Sequence, residues 1–277
     1  MTRIIDSHCH IYPEKIALKA VAAVDAFYEG LPARPLDGTP ATLLSSGRAA
    51  GISRFVVHSV ATTPAQVRSI NAFISDEQSR SGGAFIGLGA LHPDSDDPQR
   101  DLEELLSLGL HGVKLHPDIQ GFEADSLRAC ALYELCQEYN VPVLVHAGDP
   151  RFDFSNPERL APVLRAFPRL KMIAAHLGGW KVWDRAESLL KDFPNLMADT
   201  SSCFYWLPPE RALEMIRAFG ADRVLFGTDY PMWPPGDDLL YLERLPLTAE
   251  EREKILWKNC AELYHVSFDD REETSDA

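Results

Sequence analysis

The stretch Gly112-Val-Lys-Leu-His116, followed by Leu127, Ala131, Leu135 and Tyr139 and then by Val141-Pro-Val-Leu-Val-His-Ala147, decides the fold. It reads as strand, helix, strand. The middle residues recur at the spacing that lines one helical face. The flanking runs are apolar at nearly every position, which suits parallel strands covered on both faces better than half-exposed antiparallel ones. Arg223-Val-Leu-Phe226 has the same texture, and Ala212, Met215, Ile216 and Phe219 mark another crossover helix.

Working outward, the same unit fills the chain eight times, with strands expected at Arg3 to Ile11, Arg54 to Ala61, Ala84 to Leu91, Gly112 to His116, Val141 to Ala147, Lys171 to His176, Asn195 to Thr200 and Arg223 to Asp229. After the first unit they recur about every 24 to 30 residues, the length of a strand, a helix and two turns. Eight parallel units predict an α/β fold, a closed (β/α)8 TIM barrel in one domain spanning 1–277. A doubly wound open sheet would place a glycine fingerprint after its first strand, and Ile5-Asp-Ser-His-Cys-His-Ile11 has none. The first unit carries a helical insertion over 12–51. It reads as a helix from Glu14 to Glu29, a Gly/Pro-rich bend, and a second helix capped by Thr39 with Pro40 in its first turn. Following strand one, this insertion is expected at the barrel mouth as a lid. The last helix opens on the capping-box pattern Thr248-Ala-Glu-Glu251 and is expected to reach about Val266, with an acidic tail over 269–277.

Composition narrows the function classes. Lys plus Arg number 27 against 41 Asp plus Glu, a net charge of −14 with no basic cluster, so nucleic acid is not an expected partner. No uncharged apolar run approaches the roughly 18 residues of a membrane helix, and no signal-peptide pattern opens the chain, so a soluble cytoplasmic protein is expected. The five cysteines are scattered and read as reduced thiols.

The chemistry lies at the strand ends. His8 and His10 alternate with Cys9, so both imidazoles share one face of the first strand. His146, His176 and Asp229 end strands five, six and eight, at the edge where barrel active sites are built. Buried imidazoles and carboxylates are costly unless paired, and together they are the donors that zinc and similar ions select. Asp6 reads as a deeper residue of the same inward parity, either orienting the ligands or simply buried. Asp199, ending strand seven, reads as a hydrogen-bond partner of a ligating histidine or as a turn cap.

The set Asp6-Ser-His-Cys-His10, Gly112-Val-Lys-Leu-His-Pro117, Val145-His146, Ala175-His-Leu-Gly-Gly179 and Phe226-Gly-Thr-Asp-Tyr-Pro231 resembles the amidohydrolase superfamily. It is most similar to the amidohydrolase 2 branch that contains aminocarboxymuconate semialdehyde decarboxylase. The resemblance implies that His8, His10, His146 and Asp229 ligate one divalent metal ion, with His176 shuttling protons and Asp229 also able to accept one. Zinc is the expected ion, with manganese or another divalent ion as alternatives. Binuclear relatives bridge two ions through a carbamylated lysine on strand four; here Lys114 is expected instead to be a pocket wall or ion-pair partner, and His116 a pocket hydrogen-bonder. His58 and His92, near the ends of strands two and three, read as pocket residues or as hydrogen-bonded rim histidines.

The later loops are rich in rings, including Arg151-Phe-Asp-Phe154, Trp180, Phe204-Tyr-Trp206 and Trp233, which predicts a flat organic substrate. Lys114, His116, Arg151, Trp206 and Trp233 are the expected substrate contacts. Arg151 is the first choice as a carboxylate clamp, ahead of Arg34, Arg48 or an arginine from a second subunit of a homodimer. The expected activity is hydrolysis of an amide, lactone or related carbonyl compound through a metal-bound hydroxide. The alternative is non-oxidative decarboxylation of an unsaturated or aromatic acid, and a third reading is a silent metabolite-binding barrel.

Overall fold

A computed structural model describes residues 3–30, 32 and 35–268. Eight strands lie in one parallel sheet in the order of the chain: β1 (Ile5–His10), β2 (Arg54–His58), β3 (Phe85–Ala90), β4 (Gly112–Leu115), β5 (Val143–Val145), β6 (Met172–Ala174), β7 (Leu196–Asp199) and β8 (Val224–Leu225). The seam between the last strand and the first is stitched by Ser7 N to Phe226 O at 2.8 Å, Asp229 N to His8 O at 2.9 Å and His10 N to Tyr230 O at 2.7 Å. The sheet therefore curls into a (β/α)8 TIM barrel.

Strand alternation sorts the core into two shells. Val56, Ile86, Leu88, Leu144, Ile173 and Leu225 fill the barrel interior together with Cys260, Leu263 and Tyr264 of the C-terminal helix. Phe55, Val57, Val113, Val143, Val145, Met172 and Val224 face outward into the larger shell beneath the helices. Both faces of the strands are buried, with polar exceptions that include Asp6, His8, His58, Lys114 and Asp199, which is why the strands carry no polar alternation.

The strands are shorter than their apolar runs. β5 covers Val143–Val145 and not Val141 to Ala147, because Pro142 has no N–H to offer a ladder, and β8 keeps two residues. His146, His176 and Asp229 consequently stand in the turns just past the ladder. A register shift in β1 between Asp6 and Cys9 is a second departure: Asp6 pairs alongside Phe55, Cys9 alongside Val57 and His10 alongside His58. The bulge removes Asp6 from the inward alternation expected of it.

The insertion holds α1 (Ala17–Phe27) and α2 (Pro40–Ala49), the latter capped by Thr39 as its sequence indicates. α1 starts later than Glu14 because Pro13 opens a turn, its carbonyl accepting from Ile16 and Ala17. Val21 of α1 packs with Met232 and Trp233 from the loop after β8. Thr248 and Glu251 form the expected capping box. The helix they start passes through a π-helical turn at Lys254–Lys258 and ends at Leu263, short of Val266. The tail over 269–277 lies outside the described residues. No described helix is long and apolar enough to cross a membrane.

Candidate active site at the mouth of the barrel

Three electron-rich atoms converge where the seam closes. His8 Nε2 and His10 Nε2 are 3.3 Å apart, and Asp229 Oδ1 lies 3.4 Å from the first and 3.5 Å from the second. The hydrogen-bond network assigns the tautomer of His8. Its Nδ1–H donates to Asp199 Oδ2 at 2.9 Å, which leaves the Nε2 lone pair facing His10 and Asp229. Burial alone would raise the Asp199 carboxyl, but His8, His176 and Ser201 outweigh it and hold it at about 2, so it is ionised. Burial lowers His10 to about 4, so that ring is neutral. Asp229 is held well below the usual carboxylate range, because neighbouring histidines outweigh the effect of burial.

Two imidazole nitrogens and a carboxylate oxygen gathered this closely make a set of donors that a cation among them would satisfy. Ligand bonds of about 2.1 Å give polyhedron edges of about 3.0 to 3.4 Å, close to the three distances here, so the donor set fits a divalent ion. The nearest protein cation is Lys114, whose Nζ donates to His8 Nε2 at 3.0 Å. Burial lowers its ammonium to about 8, against the opposing pull of Asp229 and Asp199.

A second imidazole chain stands beside the first. His176 Nδ1–H donates to Ser201 O at 2.9 Å, so its Nε2 accepts from His146 Nδ1–H, also at 2.9 Å. The remaining lone pair, His146 Nε2, is buried and without a hydrogen-bond partner. Burial pushes His176 down to about 4 and His146 well below its usual value, so both rings are neutral. His146 is grouped most tightly with His116 and Asp118, stacking on His116 at 3.9 Å, whereas His8 and His10 are grouped with His58. The expected ligands thus fall into two adjoining clusters, His8, His10 and Asp229 in one and His146 in the other, with His176 bonded to His146.

The backbone is strained at these positions. His176, Ser202 and Asp229 have φ of 61°, 52° and 67°, left-handed values that non-glycine residues adopt rarely and that collect at functional sites. Asp199 Oδ1 accepts from His176 N at 3.1 Å and Ser201 N at 3.0 Å, fixing the turn as well as the ring of His8. Asp6 accepts from His8 N and Thr228 N and from the Thr228 hydroxyl, so it braces both turns and touches no imidazole. Gly148 is required by packing: at φ +79° its missing Cβ would stand 2.6 Å from the backbone of Gly179.

His146, His176 and Asp229 line a small cavity with Tyr28, Trp180, Ser202 and Met232, about 20 Å³ in volume and on the scale of a single water. Several expected substrate contacts lie elsewhere. Trp233 is fully buried and donates through Nε1 to Ser202 Oγ at 2.6 Å, and Ser202 in turn bonds Asp229, so this ring supports the site from behind. Trp206 carries Lys181 on its face at 3.7 Å and is not among the cavity walls. Arg151 is already engaged by both oxygens of Asp149 and by Phe27 O, since a guanidinium beside a buried carboxylate pairs with it first. Arg48 is exposed on α2, and Arg34 lies outside the described residues. His92 accepts from Asp94 N in a rim turn. Tyr28, Ser201 and Ser202 were missed. The serines follow Asp199 at a barrel strand's C-terminal end, a position that is itself a signal; Tyr28 sits in the insertion and has none.

A closed (β/α)8 barrel with imidazole and carboxylate donors gathered at its C-terminal mouth defines a class of enzyme scaffold. The amidohydrolase family matches this chain over residues 5–266, and the chain belongs to that family. Among curated proteins it is similar to gamma-resorcylate decarboxylase of Polaromonas sp. (strain JS666), at 23% identity over 255 residues covering 72% of this chain and 76% of that one. Among solved structures, an uncharacterised TIM-barrel protein of Bordetella bronchiseptica superposes with a TM-score of 0.81 at 24% identity, covering 95% and 98% of the two chains. A dihydroxybenzoic acid decarboxylase of Polaromonas sp. JS666, solved with manganese and the inhibitor 2-nitroresorcinol, gives 0.73 at 19% identity over 96% and 97%. The chain is therefore an enzyme of the amidohydrolase superfamily.

Proposed function

We propose that this enzyme is a divalent-metal-dependent, non-oxidative decarboxylase of an aromatic carboxylic acid. The hydrolytic expectation gives way to its alternative, because the metal ligands serve either reaction and the curated relative that covers most of the chain is named a decarboxylase. The observation that carries the metal dependence is the trio of His8 Nε2, His10 Nε2 and Asp229 Oδ1 at 3.3 to 3.5 Å. These three would hold a single ion, with His146 as the fourth ligand through its unpartnered Nε2. Manganese or zinc suits two or three neutral imidazoles and a carboxylate, so zinc is not singled out.

Decarboxylation adds a proton to the ring carbon that bears the carboxylate; the carbon–carbon bond then breaks, its electron pair returns to the ring and carbon dioxide leaves. A bound divalent ion would supply positive charge that draws in and orients the acid's oxygens. Asp199 keeps His8 in the tautomer that presents Nε2. His176 carries the proton: its Nδ1–H is anchored on Ser201 O, and its Nε2, on the cavity wall, takes up the proton when it parts from the His146 Nδ1–H it accepts here. Asp229 is the second proton-accepting group in reach. Trp180 and Met232 keep bulk water away from the reacting carbon.

The test is product analysis of protein loaded separately with manganese and with zinc, against panels of hydroxybenzoates, lactones and amides, with carbon dioxide and acid release followed independently. Carbon dioxide from a hydroxybenzoate is expected; hydrolysis without carbon dioxide would restore the hydrolase. His176→Ala should retain metal and lose turnover by about 10²- to 10⁴-fold, and loss of an ion from that variant would defeat the proton-carrier assignment.

A further inference from the structure

Among the cavity's lining residues, Tyr28 is the one supplied by the insertion, and it stands one position past the end of α1. Its Oη lies 3.1 Å from His116 Nε2. The direction of that bond follows from the other side of the imidazole, where His116 Nδ1 accepts the backbone N–H of Ile119 at 3.3 Å. An imidazole whose Nδ1 accepts carries its proton on Nε2, and that proton is donated to Tyr28 Oη. No acceptor among the described residues claims the tyrosine's own hydrogen.

The ring is firmly held. Trp180 meets it edge-on at 5.0 Å, Phe27 does so at 5.0 Å, and the Arg151 guanidinium lies 5.1 Å from its centroid. Lys181 Nζ stands 4.4 Å from the Trp180 ring, on the same side of the cavity as the Arg151–Asp149 pair.

We propose that Tyr28 donates its hydroxyl hydrogen to the carboxylate of the aromatic acid and so positions the bond that breaks. Arg151, the expected clamp, instead fixes Tyr28 from outside by holding Asp149 and the Phe27 carbonyl. This assignment rests on the decarboxylase reading above, but a binding measurement separates the two. The manganese-loaded wild type and Tyr28→Phe are titrated calorimetrically with 2,6-dihydroxybenzoate, and metal content and the rate of limited proteolysis within 12–51 are measured on both. Tyr28→Phe should weaken the acid by about tenfold or more, with metal content unchanged and proteolysis within about twofold of wild type. Equal affinity for the acid, or a loss matched by faster proteolysis, would overturn the assignment, the latter because it marks a loosened insertion. If the wild type itself fails to bind the acid, both proposals fall; if it binds and Tyr28→Phe binds as well, only this one does.

Discussion

Asp199 governs His8 through one hydrogen bond. Its ionised carboxylate takes the Nδ1 proton at 2.9 Å, and only in that tautomer does Nε2 present a lone pair beside His10 and Asp229. An amide in its place presents N–H as readily as oxygen and can impose the opposite tautomer. Asp199→Asn is therefore expected to weaken metal binding by about 10- to 100-fold while the barrel stays folded, measured by competition with a chromogenic chelator. Unchanged affinity would mean that His8 is oriented by packing alone. At this scale the sequence was informative wherever a side chain sits at a strand's C-terminal end: His8, His10, His146, His176, Asp199 and Asp229 all stand at or just past those ends. It was uninformative about which partner a side chain would take. Nothing local in Arg151-Phe-Asp-Phe154 reveals that Asp149 captures the arginine, and nothing in Trp233 reveals that its indole turns inward to Ser202.

At the scale of elements, the insertion covers a cavity of about 20 Å³, far too small for an aromatic acid. The segment is pinned at three places: Tyr28 on His116, Phe27 O under Arg151 at 2.6 Å, and Leu36 N on Pro231 O at 2.8 Å. Ligand entry requires these to part, so the insertion is expected to act as a lid. Arg151→Gln removes the charged donor to Phe27. The guanidinium is partly exposed, so the loss is about 1 kcal/mol, which raises the open population about fivefold. Limited proteolysis within 12–51 should accelerate by that factor and be slowed again by saturating 2,6-dihydroxybenzoate. An unaltered cleavage rate would show that Arg151 does not latch the segment. The rhythm of strands and helices, the Thr39 cap and the Thr248 capping box were legible because each is a short-range signal. The bulge between Asp6 and Cys9 was not, because it is set by how β1 pairs with β2, and residues near 6 and near 55 do not announce their register to each other.

For the molecule as a whole, the site opposes the fold that carries it. The barrel buries His8 Nε2, His10 Nε2 and Asp229 Oδ1 against one another, and in water the unfolded chain would hydrate each separately. Lys114 offsets part of this penalty through His8 Nε2, but burial has already weakened its hold on its proton. An ion bound by the native state alone stabilises it by RT ln(1 + [L]/Kd), about 2.7 kcal/mol at a hundredfold excess over Kd. For a chain of 277 residues that corresponds to a rise in Tm of roughly 5 °C. Chelator-stripped protein should accordingly melt lower by that amount in differential scanning calorimetry and recover on titration with manganese or zinc. His8→Ala should gain far less from metal than the wild type, because it loses one of the four proposed ligands and the one that Asp199 orients. A stripped protein that melts with the loaded one would mean that the three donors are satisfied within the chain, and the metal-dependent chemistry would lose its structural basis.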